Sequence, residues 1–169
     1  YFGVYGKLFP EDLRFDRRSR RPPLDTANAG LSYLYTILLG EVVGAVVAAG
    51  LEPSIGVLHR DDGRRPSLAL DLMEELRPLV VDRVVLTAAR QNRLKATDGH
   101  RKDGNEGILL TKSGRKTLTS EYETRMQTSS RMAIPGFAGS IRRLLYLQAA
   151  RMADSITTGV PLWTGLSWR

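Results

Sequence analysis

The chain of 169 residues contains no cysteine. Disulfides, thiolate metal sites and a cysteine nucleophile are therefore excluded, and the composition is compatible with a reducing cytoplasm. No Walker-type Gly-rich phosphate loop and no Gly-x-Ser-x-Gly elbow occur. There is no internal repeat and no signal-peptide pattern. Histidine is scarce, with only His59 and His100. Acidic residues are outnumbered, 18 against 25 lysines and arginines, which gives a net charge of +7 and a pI of about 10.0. That excess favours a polyanionic partner, nucleic acid first and an anionic membrane second. Hydrophobic residues at 42% and charged residues at 25% describe an ordinary soluble globular chain. Its length suffices for one domain with a real core.

The chemistry-bearing stretch runs from Ser54 to Arg77. An apolar segment ends at His59, a charged turn follows, and then comes an amphipathic helix carrying Asp71 and Glu74. Pro66 suits the first helical turn, because its fixed φ is helical and its missing N–H is not needed there. Pro78 is expected to stop the helix. Asp71 and Glu74 are spaced i, i+3, so both carboxylates share one face. Leu68, Leu72 and Leu76 form a different stripe that packs inward with Leu70 and Met73. The turn before Pro66 lets the chain fold back, so that the His59 imidazole meets the carboxylate face. One imidazole with one or two carboxylates suits a hard divalent cation, Mg²⁺ or Mn²⁺. The same residues also fit a plainer reading, a hydrogen-bonded structural histidine beside a solvated acidic face.

Around this stretch the pattern is helical. Residues 1–23 run from an aromatic start into a basic run with Arg14, Arg17, Arg18, Arg20 and Arg21, suited to gripping phosphate or to lying in solvent. Asp25 or Thr26 caps a long helix to about Ala49, with Gly50 as its stop. Its apolar positions occur nearly all round, which predicts a buried central helix. Glu41 in its middle, with Ser32, Thr36, Gly40 and Gly44, argues against a membrane span. Asn28 at its start is a cap or a hydrogen-bonding core residue. Residues 79–94 are rich in valine and fit helix or strand. Asp82 and Arg83 there could pair with site residues or form a surface ion pair. Residues 95–107 are a polar, Gly-rich loop, and His100 within it reads as solvated. Ile108 to Leu110 is a short extended piece. Thr111 or Ser113 caps a helix to about Thr128 with Tyr122 and Met126 on its core side. A last helix from about Ser140 to Thr157 carries Gln148 on its apolar face, and the tail 158–169 holds Trp163 and Trp168.

The string "HRDDGRRPSLALDLMEELRPLVVDRVVL" closely resembles the integrase of CRISPR adaptation, the first of the numbered CRISPR-associated proteins. In that family a Gly-x-x-His element precedes an Asp-Leu-x-Glu-x-x-Arg-Pro helix. Here these are Gly56 to His59, then Asp71, Leu72, Glu74, Arg77 and Pro78. The resemblance extends to Asn28-Ala-Gly-Leu-Ser-Tyr, similar to the family's Asn-x-x-Leu-Ser-Tyr helix start. It extends to Gly107–Lys116, similar to its Gly-x-x-Leu-Thr-x-x-Gly-Arg-Lys element, and so covers most of the chain.

The resemblance implies an all-α, multi-helix catalytic domain, with residues 79–94 helical. It implies that His59 and Glu74 are metal ligands and that Asp71 supports them, with Mg²⁺ or Mn²⁺ as cofactor. Arg17, Arg18, Arg20, Arg21, Arg64, Arg65, Arg77 and Lys112 are then the expected DNA contacts. The implied reaction inserts a short captured DNA into a CRISPR array, a 3′-hydroxyl attacking a phosphodiester. A nuclease that only hydrolyses DNA and a non-catalytic basic scaffold are the alternatives. Expected partners are DNA (the captured duplex and the CRISPR repeat), a second copy in a homodimer, a small ferredoxin-like adaptation subunit and a fused or separate CRISPR-associated exonuclease. The expected setting is a prokaryotic cytoplasm, with no membrane partner. The family has a third ligand, a Glu in a helix leading into a Tyr-Phe pair. Tyr1-Phe2 matches that pair, so that Glu and the family's N-terminal β-rich domain are expected upstream. The chain is thus expected to be the C-terminal helical catalytic domain of a longer protein. Its expected parts are a connecting segment 1–23, a helical core 24–157 and the tail 158–169.

Overall fold

A computed structural model describes residues 1–56, 65–101, 106–130 and 137–166. Over these residues the fold is all-α. Six α-helices carry it: α1 (Phe2–Gly6), α2 (Thr26–Ala48), α3 (Ser67–Glu74), α4 (Arg83–Arg90), α5 (Lys112–Gln127) and α6 (Ile141–Thr158). Two small antiparallel pairs complete it, β1 (Gly99–Arg101) with β2 (Ile108–Leu110), and β3 (Ser129–Ser130) with β4 (Gly139–Ser140). The chain packs as two compact units, residues 1–36 with 79–124, and residues 37–78 with 125–169.

In the first unit the start of α2 is set by Asp25, whose Oδ1 accepts the Asn28 N–H at 2.7 Å. Leu31 and Leu34 of α2 are fully buried, as are Val80, Val81, Val85, Ala88, Leu94, Leu118 and Tyr122. Gly30 lies so close to Leu118 and Val85 that a Cβ there would sit 3.2 and 3.6 Å from their methyl carbons. The hairpin β1–β2 pairs His100 with Leu109. Backbone bonds from Ile108 N to Pro23 O (2.8 Å) and from Thr111 N to Asp98 O (2.8 Å) tie it down. Thr111 then caps α5, its Oγ1 accepting the Gly114 N–H at 3.0 Å. Tyr1, Phe2, Tyr5, Phe9 and Phe15 pack as a ring cluster in mostly edge-to-face contacts.

In the second unit Leu38, Val42 and Val46 of α2 are fully buried, with Leu72, Met73 and Leu76 from the α3 segment and Leu144, Leu145 and Ala149 from α6 almost so. Ser140 caps α6 by accepting the Arg143 N–H. Both helix-ending glycines, Gly50 and Gly159, have positive φ of 76° and 70°, a conformation that strains any side chain.

Two expectations are corrected here. Pro78 does not end helical structure: a π-helical stretch, Arg77–Asp82, passes through it into α4. A wider turn absorbs the backbone hydrogen bond that proline cannot donate. Nor is α2 buried all round, since Thr36, Gly40, Gly44, Val47 and Ala48 are exposed. By length and composition α2 could cross a membrane, with a mean hydropathy of 1.8 over its best window. Here its buried side is core, and Glu41 pairs with Arg142 of α6 at 2.8 Å.

Candidate metal centre

Helix α3 is short and made of strong helix formers, Ser-Leu-Ala-Leu-Asp-Leu-Met-Glu. Pro66 precedes it, accepting the Leu70 N–H at 2.9 Å, and the Leu68 N–H donates to Pro53 O at 2.9 Å. The apolar side chains Leu68, Leu72 and Met73 go to the core. That rotation leaves Asp71 and Glu74 on a common face, one turn apart. Asp71 is 7% exposed. The Glu74 side chain is 46% exposed, and its Oε1 pairs with Arg77 Nη1 at 2.7 Å.

His59 and Arg64 lie outside the described residues. Among the described residues no three His, Cys, Asp or Glu side chains converge on one point. The described part of the site is thus a pair of carboxylates. As hard oxygen donors, one buried and one solvent-facing, they fit Mg²⁺ or Mn²⁺ by donor chemistry.

Glu75, next to Glu74, faces a different environment. Burial pushes its carboxyl above the usual range, and hydrogen bonds from Gln148 and the Leu166 backbone oppose the shift. Gln148, 1% exposed, donates from Nε2 to Glu75 Oε2 at 3.3 Å and to Thr164 O at 3.1 Å. Arg151 grips Leu162 O, and the Trp163 N–H donates to Ser155 Oγ at 2.6 Å. The tail up to residue 166 is therefore fastened to α6 and to Glu75. A glutamine inside the Leu144-Leu145-Met152 stripe was the available sequence signal for this latch. Trp163 packs back onto the unit, and Trp168 lies outside the described residues.

The expected DNA-contacting arginines divide by environment. Arg17, Arg20, Arg21 and Arg65 are exposed, as is Lys112, while Arg77 is half-buried beside Glu74. Arg18 turns inward. Its Nη1 donates to Asn28 Oδ1 at 2.8 Å and its Nη2 to Ser32 Oγ at 2.9 Å. The guanidinium also lies 5.6 Å from the centre of the Tyr35 ring. Burial lowers the Arg18 pKa, while the nearby Tyr35, Asp25 and Asp82 favour the cation. Asn28, fully buried, accepts the Ser19 N–H at 2.9 Å and donates to Arg17 O and Asp25 Oδ2. Asn28 and Arg18 thereby hold the basic run against the start of α2.

Sequence reasoning missed the role of Asp82. It is 3% exposed, and its carboxylate accepts hydrogen bonds from Tyr1 at 2.5 Å and from Tyr35. Tyr5 donates to its backbone carbonyl at 2.6 Å. Burial, then the Asp82 charge, pushes the Tyr5 phenol far above its usual value. The Tyr1 phenol is raised by burial and by its bond to Asp82.

The same helical fold occurs in solved structures. A casposase bound to an integration product superposes with a TM-score of 0.85 at 23% identity, over 95% of this chain and 45% of that one. A Cas6-RT-Cas1--Cas2 complex gives 0.84 at 25% identity, over all of this chain and 18% of that one. The family model for CRISPR associated protein Cas1 matches residues 1–124. A CRISPR-associated endonuclease Cas1 of Rhodospirillum rubrum is 43% identical across the whole chain, which covers 50% of that relative. The chain belongs to the Cas1 family. It spans about half the length of the first curated relatives it matches.

Proposed function

We propose that the complete protein is a divalent-metal-dependent DNA integrase of CRISPR adaptation. The observation that carries this reading is the Asp71–Glu74 pair displayed on α3 of a basic, Cas1-family helical domain. His59 and Glu74, with Asp71 in support, would hold Mg²⁺ or Mn²⁺. The bound ion supplies Lewis-acid stabilisation for the charge that grows on phosphate oxygens during displacement. The protein's own groups do the positioning. Arg17, Arg20, Arg21, Arg64, Arg65 and Lys112 neutralise the DNA backbones. Arg18 keeps the basic run in place from within. Arg77 balances Glu74, and burial of Asp71 fixes the inner edge of the site.

In the reaction the 3′-hydroxyl oxygen of a short captured duplex bonds to a repeat-boundary phosphorus. The existing phosphodiester breaks as the new one forms. The displaced strand end takes up a proton as the nucleophile loses one, so no covalent protein intermediate is needed. The solved complex of a Cas1 with Cas2 supports a small adaptation subunit as partner. A homodimer and a prokaryotic cytoplasmic setting belong to the same reading. The name endonuclease carried by the relative favours one other reading, hydrolysis with water in place of the 3′-hydroxyl.

A product assay separates the two. The full-length protein with its partner subunit is given a labelled short duplex and a supercoiled array plasmid, in Mn²⁺ and in chelator. Label joined to plasmid only with Mn²⁺ is the expected result. Shortened strands without joining would replace integration by hydrolysis.

A further inference from the structure

A second feature lies wholly within the first unit and shares no residue with α3. Between the start of α2, the β1–β2 hairpin and the first turn of α5 opens a cleft of about 470 Å³. That is the size range of small-ligand sites. Pro23, Tyr33 and Leu109 (the last 42% exposed) are among its apolar lining residues, and His100, Lys112 and Arg115 line it as well. Lys112 and Arg115 are i, i+3 on α5, so they share a face. His100 reaches the same cleft from β1, opposite Leu109. None of the three makes a side-chain hydrogen bond or ion pair with another described residue. The nearby carboxylate of Asp98 is already used, accepting from Lys95 N at 3.0 Å and from Thr111, and does not line the cleft.

The walls are held firmly. Gly99 of β1 is pressed so tightly on Thr26 and Ile108 that no side chain fits there. Thr26 itself donates to Ala96 O at 3.0 Å, and Tyr33 is hydrogen-bonded to Thr119 at 3.1 Å. A cleft lined both by aromatic and aliphatic side chains and by nitrogen donors that bond no other described residue suits a ligand with a flat apolar part and an anionic part.

We propose that this cleft is a nucleotide-binding site. The phosphate of one nucleotide unit sits at Lys112, Arg115 and His100, and its base lies on Tyr33, Leu109 and Pro23. The unit is either a free mononucleotide or the 5′-phosphorylated end of a DNA strand, which share this chemistry. The inference goes beyond the metal-dependent reaction, because binding here needs neither Asp71 nor Glu74.

The test uses the full-length protein in chelator, so that the carboxylate site takes no part. Binding is measured by calorimetry for deoxythymidine monophosphate, thymidine and inorganic phosphate. Fluorescence anisotropy compares tetrathymidylate with and without a 5′-phosphate. The expected result is that the mononucleotide or the 5′-phosphorylated strand binds. Lys112→Ala/Arg115→Ala then weakens it at least about tenfold, with a salt slope smaller by about one. Arg83→Ala, which removes an exposed charge outside the cleft, leaves it unchanged, and thermal melts confirm that each variant folds. Leu109→Ala weakens the nucleotide but not inorganic phosphate. Binding of the mononucleotide assigns the free ligand, and binding of the phosphorylated strand alone assigns the strand end. The proposal is overturned if neither binds, if the double variant binds as the parent does, or if inorganic phosphate competes as well as the nucleotide. A protein that binds nucleotide here but joins no DNA would sink the integrase reading and leave this one standing.

Discussion

Asp82, Tyr1, Tyr5 and Tyr35 form the most demanding cluster of side chains in the first unit, because a carboxylate is almost sealed from solvent there. Such a group is stable only while its donors stay in place. Tyr35→Phe removes one donor and should lower unfolding stability by about 1–3 kcal/mol, read from urea denaturation. The raised phenols of Tyr1 and Tyr5 set an alkaline limit. Their folded pKa values exceed the ordinary 10.0, so the folded state keeps protons that the unfolded chain releases. Their contribution is complete below pH 10 and is lost as pH rises above it. Tyr5→Phe should flatten the fall in stability above that pH, and the share of tyrosinate absorbance that belongs to Tyr1 and Tyr5 should appear only as the protein unfolds. None of this was legible in the sequence, because the donors stand at positions 1, 5 and 35 and the acceptor at 82. The Asp71–Glu74 pair was legible, because i, i+3 spacing acts within one helix turn. The contrast between Arg18 and its neighbours was not, because residues 17, 18, 20 and 21 look alike until Asn28 and Ser32 meet one of them.

Of the two caps the sequence offered for each of α2 and α5, Asp25 and Thr111 accept the first-turn N–H groups, and α6 starts at Ser140 as its pattern indicated, since helix starts are set by local interactions. The stop of α2 at Gly50 was equally local. Gly50→Ala should cost about 1 kcal/mol in thermal unfolding because φ is 76° there. The π-helical stretch Arg77–Asp82 was hidden, since Pro78 signals an end by every local rule. The tail latch is an element-scale device too. Burial raises the Glu75 carboxyl even though the latch bonds from Gln148 and the Leu166 backbone oppose the shift, so on balance the folded state favours the neutral form. Its contribution to stability is complete below the ordinary carboxylate pKa and is lost as pH rises through the raised folded value. Glu75→Gln should therefore reduce the loss of stability between acid and neutral pH, while Gln148→Ala should release the tail to limited proteolysis.

At the scale of the whole molecule the net charge is +7, and among the described residues exposed cations such as Arg20 and Arg21 contrast with the inward-turned Arg18. Arg20→Ala and Arg21→Ala should each lower the slope of duplex-DNA affinity against salt by about 0.9 while leaving folding alone. Arg18→Ala should instead destabilise the chain, by about 1–3 kcal/mol, through the partners it leaves on Asn28 and Ser32. Agreement on class between sequence and fold came from helical patterning in several segments together with the family resemblance, which decided the valine-rich residues 79–94 for helix. How the chain divides into two units was not visible, because the division cuts through α2 and α5 rather than falling in loops.

The central claim is that His59 and Glu74 carry the chemistry. Its most direct test compares the full-length parent, with its small partner subunit, against His59→Ala and Glu74→Ala. All three are given a labelled duplex and an array plasmid in Mn²⁺. Joining by the parent and none by either variant, with DNA affinity retained, is the result predicted here. Joining that survives both substitutions would place the reaction elsewhere and leave α3 a structural helix.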